Sequence, residues 1–134
     1  DSLVQLPFRA NCLNWVVGHL VTNRLSVLRL LAAQPPFDSE LVSRYERESE
    51  PVTGDGPGVL PVNELIGLLE QLQAQIAALL ADITDEELSR EIAFFGSHEH
   101  PISYWLFFFY FHDTYHVGQT ELLRQAAGKD DKII

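Results

Sequence analysis

The chain has little cysteine and few basic residues, and it contains no methionine. Cys12 is the single cysteine among 134 residues, which excludes a disulfide framework and a cysteine-based zinc site built by this chain alone. Lys and Arg together number 9 against 19 Asp and Glu, so the formal net charge is −10. A surface that acidic repels phosphate groups, and we therefore expect no nucleic-acid partner and no membrane partner.

Long apolar runs are also lacking. The longest one, Tyr104 to Phe111, is much shorter than the roughly 20 residues that a membrane-spanning helix needs. No signal peptide is recognisable, and a lone cysteine suits a reducing compartment, so a cytoplasmic location is expected. A length of 134 residues with 46% hydrophobic residues is typical of one globular domain, here residues 1–134.

Three segments have the hydrophobic spacing of long helices. The first runs from about Asn11, as N-cap, to Ala33, and the second from about Val62 to Ala81. The third runs from about Pro101 to Ala127, with proline at its first turn and Gly128 just past its end. Long helices with moderate connections predict an all-α bundle, although three helices are one fewer than a four-helix bundle requires.

The connecting segments are predicted to hold short helices and a loop. A short helix is expected after Asp38, and another from the capping-box sequence at Thr84 to about Arg90. Between the first two long helices, residues 46–61 are rich in glycine and proline and predict a surface loop. This loop lacks the Lys-Ser/Thr of a phosphate-binding loop. No strand pair is predicted.

The third long helix is apolar on all sides over residues 105–111. On a helical wheel Trp105, Phe108 and Phe109 lie within about 60° of His112. Phe107 and Tyr110 point nearly the opposite way. We therefore expect one face to line the interior, and the other to meet a second protomer or a helix upstream of this sequence.

His112 and His116 lie four residues apart on this helix, so their side chains are neighbours on one face. That spacing lets two imidazoles bind one metal ion, and an inward position favours such a role because buried neutral imidazoles need partners. The alternative is a pair of ordinary hydrogen-bonded histidines. A third ligand has to come from elsewhere, and His19 on the first helix is the main candidate, with His98 and His100 as competitors that helix geometry disfavours.

Three further residues are predicted to lie near such a site. Gln119 returns to the face of His116 one turn later, and Trp15 and Asn23 share the helical face of His19. These three side chains are candidates for the pocket wall or for contacts to the metal ligands. No Ser-His-Asp arrangement and no carboxylate pair suited to acid–base catalysis is visible.

The segments NWVVGHL (14–20), DGPGVLP (55–61) and FHDTYHVGQTELLRQAAGK (111–129) resemble the DinB-like family of metalloenzymes, which includes bacillithiol- and mycothiol-dependent transferases. The resemblance implies an up-down-up-down four-helix bundle in which His19, His112 and His116 hold a divalent metal. It also implies a homodimer. Members of the family usually carry a long helix before the segment that matches residues 14–20, so we expect the first bundle helix to be missing from this chain or supplied in another way.

The resemblance implies a metal-dependent transferase that uses a low-molecular-weight thiol and a small-molecule substrate. Three imidazoles leave coordination positions open on zinc, nickel or iron, where a thiol loses its proton more easily. Two alternatives are a metal-dependent hydrolase that activates water at the same site, and a non-catalytic protein of the stress-response kind that binds metal or a small molecule. A helical interaction domain without metal is the plainest alternative.

Overall fold

Helices form most of the structure, which confirms the predicted all-α class. The computed structural model describes residues 1–8, 10–96, 98–129 and 131. Its elements, in chain order, are α1 (Leu13–Leu30), a 3₁₀ helix (Ser39–Tyr45), α2 (Val62–Ala81), α3 (Asp85–Ser89), β1 (Glu91–Ala93), β2 (Glu99–Pro101) and α4 (Ile102–Ala126).

Helix α1 is the central element, since it packs against α2, α4 and the 3₁₀ helix. Its apolar side chains, among them Leu25 and Leu28, form the core together with Leu65 and Leu72 of α2 and Phe109 of α4. Residues 1–8 and 10–12 form no helix, so the part of the chain that the structure describes contains three long helices and no fourth.

The ends of the helices follow local chemistry, with two corrections. Helix α1 ends at Leu30 rather than near Ala33, because Ala32 has a positive φ of 54° that stops the helix. Helix α2 has the predicted bounds, and Thr84 forms the predicted capping box with Glu87. The N-cap of α1 is Cys12 rather than Asn11. The reason is a tertiary contact. The backbone N–H of Asn14, in the first turn of α1, donates to the carbonyl of Ser2 at 2.8 Å, so a segment outside the helix supplies the acceptor that this N–H lacks within the helix.

A small hairpin lies before α4, and the prediction of no strand pair is therefore wrong. Strands β1 and β2 pair antiparallel, with Ile92 opposite His100. Three-residue strands are too short for hydrophobic alternation to reveal. The hairpin is fixed to α4 by the indole N–H of Trp105, which donates to the carbonyl of Ile92 at 3.3 Å. It therefore holds the chain around Phe95 beside α4.

The two predicted faces of α4 are present. Trp105 and Phe109 are buried, whereas Phe107 and Tyr110 are 65% and 66% exposed. Phe108, predicted to face inward, is exposed at 37%, because it lies on the wall of an open cavity instead of in the core. Over the described residues, none of the helices combines the length and the apolar character that crossing a bilayer demands.

Candidate metal centre

The two histidines of α4 converge as their spacing predicts. The Nε2 atoms of His112 and His116 are 3.3 Å apart, and the ring centroids are separated by 4.5 Å. His116 is buried and His112 is half-buried. Both rings therefore turn the same nitrogen toward one point beside α4.

His19 reaches the same point from α1. Its ring centroid lies 5.4 Å from that of His112 and 5.0 Å from that of His116. One ring nitrogen from each of the three residues lies within 4.8 Å of the other two. In the described part of the chain, His19, His112 and His116 are the group of metal-ligating side chains that comes together in this way.

The competing histidines lie elsewhere. His100 is in β2, and its ring stacks on that of Tyr104 at 4.0 Å. His98 lines a cavity that also reaches His19 and His112, but it does not join their cluster. The structure thus brings together the three histidines favoured by sequence and leaves the other two apart.

The orientation of His19 is fixed by contacts on both sides of its ring. Its Nδ1 lies 2.9 Å from the carbonyl oxygen of Tyr45, which can only accept, so Nδ1 carries the proton and Nε2 keeps a free lone pair. The indole of Trp15 stacks on the imidazole at 4.7 Å, with the planes 13° apart. Trp15, predicted near the site, therefore holds the plane of the His19 ring.

Tyr45, which the sequence analysis did not single out, holds this arrangement in place. The side chain is fully buried, and its hydroxyl donates to Oδ1 of Asn14 at 3.0 Å and accepts from the backbone N–H of Leu60 at 2.7 Å. The ring lies flat against Gly18, where an added Cβ would come within 2.3 Å of two of its atoms. Gly18, directly before His19, is therefore the sequence feature that indicates close packing at this position. The sequence does not show that Tyr45 is the residue packed there.

Gln119 fixes the second ring. Nδ1 of His116 donates to Oε1 of Gln119 at 2.8 Å, which again leaves Nε2 unprotonated. The amide nitrogen of Gln119 in turn donates to the hydroxyl of Tyr115 at 3.3 Å, and the Tyr115 ring lies 5.2 Å from that of His116. Gln119 is thus placed where the helical wheel predicts it.

Asn23 contacts the third ring. The Asn23 side-chain amide lies 2.9 Å from Nδ1 of His112. With its nitrogen facing the ring, the amide donates to Nδ1, and His112 then donates from Nε2 to Nε2 of His116. A half-turn of the amide presents Oδ1 instead, which accepts from Nδ1 and leaves the lone pair of Nε2 free. Asn23 therefore suits both the metal-free and the ligating tautomer of His112.

Burial favours the neutral form of His19 and of His112. Desolvation lowers the pKa of His19 to about 4, and the nearby His116 and His112 act in the same direction, while the bond to the Tyr45 carbonyl opposes the shift. Desolvation also lowers the pKa of His112. Because the pKa of an unfolded histidine is near 6.5, the stability associated with neutral His19 is complete above about pH 6.5 and is lost as the pH falls through 4.

An ion pair joins α1 and α4 beside the cluster. The guanidinium of Arg24 contacts Oδ2 of Asp113 and donates from Nε to Oε1 of Gln73 in α2 at 2.8 Å. Asp113 does not join the histidine cluster, as its 100° offset from His112 on the wheel predicts. Asp113 connects the helices that carry the histidines, because Arg24 of α1 bonds both to Asp113 of α4 and to Gln73 of α2.

The donor set fits a divalent cation of the zinc type. Two metal–nitrogen bonds of about 2.0–2.1 Å at a tetrahedral angle separate their nitrogens by roughly 3.3 Å, which matches the 3.3 Å between His112 and His116. The second nitrogens of His19 and His116 are held by oxygen acceptors, as is usual for ligating histidines. Three neutral nitrogens also leave a coordination position for a reactant.

A cavity of about 490 Å³ adjoins the cluster. It lies between α1, the 3₁₀ helix and the start of α4, and its walls include His19, Asn23, Phe95, Phe108 and His112. Trp15 and Gln119 are not on its walls, so they adjoin the cluster through the rings of His19 and His116 rather than through the cavity. The volume falls in the usual range for small-molecule sites.

Comparison with known families gives one result. A family model for the DinB superfamily matches residues 7–120, a span that contains all three clustered histidines and the residues of the cavity wall. Searches among curated proteins and among solved structures return no significant match.

Proposed function

Since the chain belongs to the DinB superfamily, whose members are metal-dependent, we propose that His19, His112 and His116 together bind one divalent cation and that the protein is a thiol transferase. The cation is zinc, nickel or iron, all of which accept imidazole ligands. The cosubstrate is a low-molecular-weight thiol, and the acceptor is an electrophilic small molecule held in the adjoining cavity.

One observation carries the proposal: three imidazoles from two helices turn nitrogens to a common point, and the far side of each ring is hydrogen-bonded to a protein group. Without an ion, the Nε2 atoms of His112 and His116 can only share one hydrogen bond between them, whereas the proposed cation gives all three rings a second partner. No fourth histidine, cysteine or carboxylate joins the group among the described residues. A closed structural site requires four ligands, so the arrangement favours an open, reactive centre over a purely structural one.

The division of labour follows from the contacts. When bound, the cation lowers the pKa of a coordinated thiol so that the thiolate predominates at neutral pH. Gln119 holds His116 in its binding tautomer, and Asn23 does the same for His112 when its amide oxygen faces the ring. Trp15 fixes the plane of His19. Phe95, Phe108 and Phe109 give the cavity an aromatic wall that apolar parts of the reactants can contact. The sulfur bonds to the electrophilic carbon, the leaving group departs with its electron pair, and the thiol proton passes to solvent.

The experiment is a transfer assay on untagged protein of known metal content. With 1-chloro-2,4-dinitrobenzene and a panel of small thiols, we expect thioether formation at least about tenfold above the uncatalysed rate. Removal of the metal with a chelator returns the rate to background, and re-addition restores it. Rates that do not depend on metal would contradict the proposal, and metal-dependent cleavage of an ester without any thiol would favour the hydrolase alternative.

We propose that a second copy of the chain covers the outer face of α4. The support is the exposure of Phe107, Tyr110 and Phe111, each more than 60% exposed, on an otherwise acidic chain. Sedimentation velocity that finds only monomer at high concentration would contradict the dimer. A cytoplasmic location is part of the same proposal, and the single buried thiol of Cys12 agrees with it.

A further inference from the structure

The cavity beside the histidine cluster has a polar wall along α1. From His19, the wall continues through Thr22 and Ser26 to Arg29, which is one side of the helix. Arg29 lies about 15 Å from His19 along the axis at 1.5 Å per residue. Arg47, on the opposite wall, follows Tyr45 by two residues, and the Tyr45 carbonyl contacts His19. The guanidinium of Arg29 is thus far from the histidine cluster, and that of Arg47 is near it.

These two cations are not engaged by strong internal partners. Arg24 and Arg124 are ion-paired, and Arg44 donates to the backbone carbonyls of Glu50 and Pro51. Among the described residues, the side chain of Arg29 has no hydrogen bond or ion pair, and Arg47 has one exposed ion pair to Glu48 at 3.7 Å. Exposed pairs of that length contribute little. Both guanidinium groups are therefore available to a ligand.

The position of these two arginines is informative because the chain has so few basic residues. Only 9 of its 134 residues are Lys or Arg, against 19 acids. Glu46 is the one acidic residue among the described residues on the cavity wall. A strongly acidic protein repels anions in general, so a cavity wall with two arginines and one glutamate is locally favourable to an anion. Guanidinium groups bind carboxylates through paired, charge-assisted hydrogen bonds.

We propose that this cavity selects a thiol cosubstrate that carries carboxylate groups, with Arg29 and Arg47 as the carboxylate contacts. The inference rests on the proposed function for the thiol at the histidine cluster, but the recognition of the carboxylates does not depend on the metal. A cavity of about 490 Å³ accommodates a molecule of tripeptide size.

The test compares reduced glutathione with its dimethyl ester, which has the same thiol and no carboxylates. Dissociation constants are measured by titration calorimetry on zinc-loaded protein. We expect glutathione to bind the wild type at least about tenfold more tightly than the ester. Arg29→Gln and Arg47→Gln each reduce this ratio, and the double variant brings it close to one. Arg90→Gln, at an arginine outside the cavity, leaves the ratio unchanged.

The outcomes separate this inference from the proposed function. Equal binding of acid and ester, or a ratio that persists in the double variant, overturns the carboxylate contacts and leaves metal-dependent thiol chemistry standing. Failure of both ligands to bind protein that retains its zinc overturns both. The same ratio is measured on metal-free protein, where the inference predicts that the preference for the acid persists, because the arginines are independent of the ion. Loss of the preference there contradicts it. Both arginines are exposed, so the variants are expected to fold.

Discussion

Replacement of His112 by alanine is expected to lower the affinity for zinc by at least about 100-fold, because loss of groups that merely support a ligand already costs 10–100-fold. The remaining pair, His19 and His116, has ring centroids 5.0 Å apart and supplies only two nitrogens. His19→Ala and His116→Ala are expected to have losses of the same order. Zinc affinity is measured by competition with a chromophoric chelator at pH 7.

His98→Ala is the matched control for this series. His98 lies on the wall of the same cavity but outside the cluster, so its loss should leave zinc affinity within about twofold of the wild type. Thermal melts of the metal-free variants establish that each one folds. Comparable losses of affinity in His98→Ala and His112→Ala would show that the ligand assignment is wrong.

Gly18→Ala is expected to destabilise the protein by about 3 kcal/mol, at the upper end of the usual cost of overpacking a core. The new Cβ would lie 2.3 Å from Cγ and Cδ1 of Tyr45, and the buried ring cannot withdraw because its hydroxyl is bonded to Asn14 and Leu60. Displacement of Tyr45 also moves the carbonyl that orients His19, so zinc affinity is expected to fall as well. Urea unfolding of the metal-free protein measures the first effect.

Gly67→Ala provides the contrast. Gly67 lies within α2, and an added Cβ there meets nothing within 4 Å. Alanine in the interior of a helix is more favourable than glycine by roughly 0.5–1 kcal/mol, so this variant should be slightly more stable than the wild type and should bind zinc unchanged. Equal effects of Gly18→Ala and Gly67→Ala on stability would show that the packing of Tyr45 does not require glycine at position 18.

The sequence predicted those features that depend on neighbours along one helix. The bounds of α2, the capping box at Thr84 and the convergence of His112 and His116 follow from hydrogen-bond chemistry and from a period of 3.6 residues. The same period correctly placed Gln119 beside His116. In each of these cases the decisive partner lies within four residues, so tertiary packing has little freedom to change the outcome.

Features that depend on distant segments were not predictable in this way. The Tyr45 carbonyl that orients His19 is 26 residues away along the chain, and Asp113 of α4 meets Arg24 only because α1 and α4 pack together. The N-cap of α1 was misplaced by one residue, since contacts of Cys12 and Asn14 with residues outside the helix determine where it begins. The approach of His19 to His112 was expected through its helical face and a family resemblance, and the distance itself required the fold.

The central claim is that three imidazoles share one cation and leave room for a reactant. X-ray absorption at the zinc edge of stoichiometrically loaded protein tests it most directly, because the method reports the atoms bound to the metal. We predict three imidazole nitrogens and one or two light-atom ligands from solvent at about 2.0–2.2 Å, and no sulfur. A sulfur ligand is expected to become detectable only when a small thiol is added. A shell with sulfur before any thiol is added, or with fewer than three imidazoles, would contradict the account.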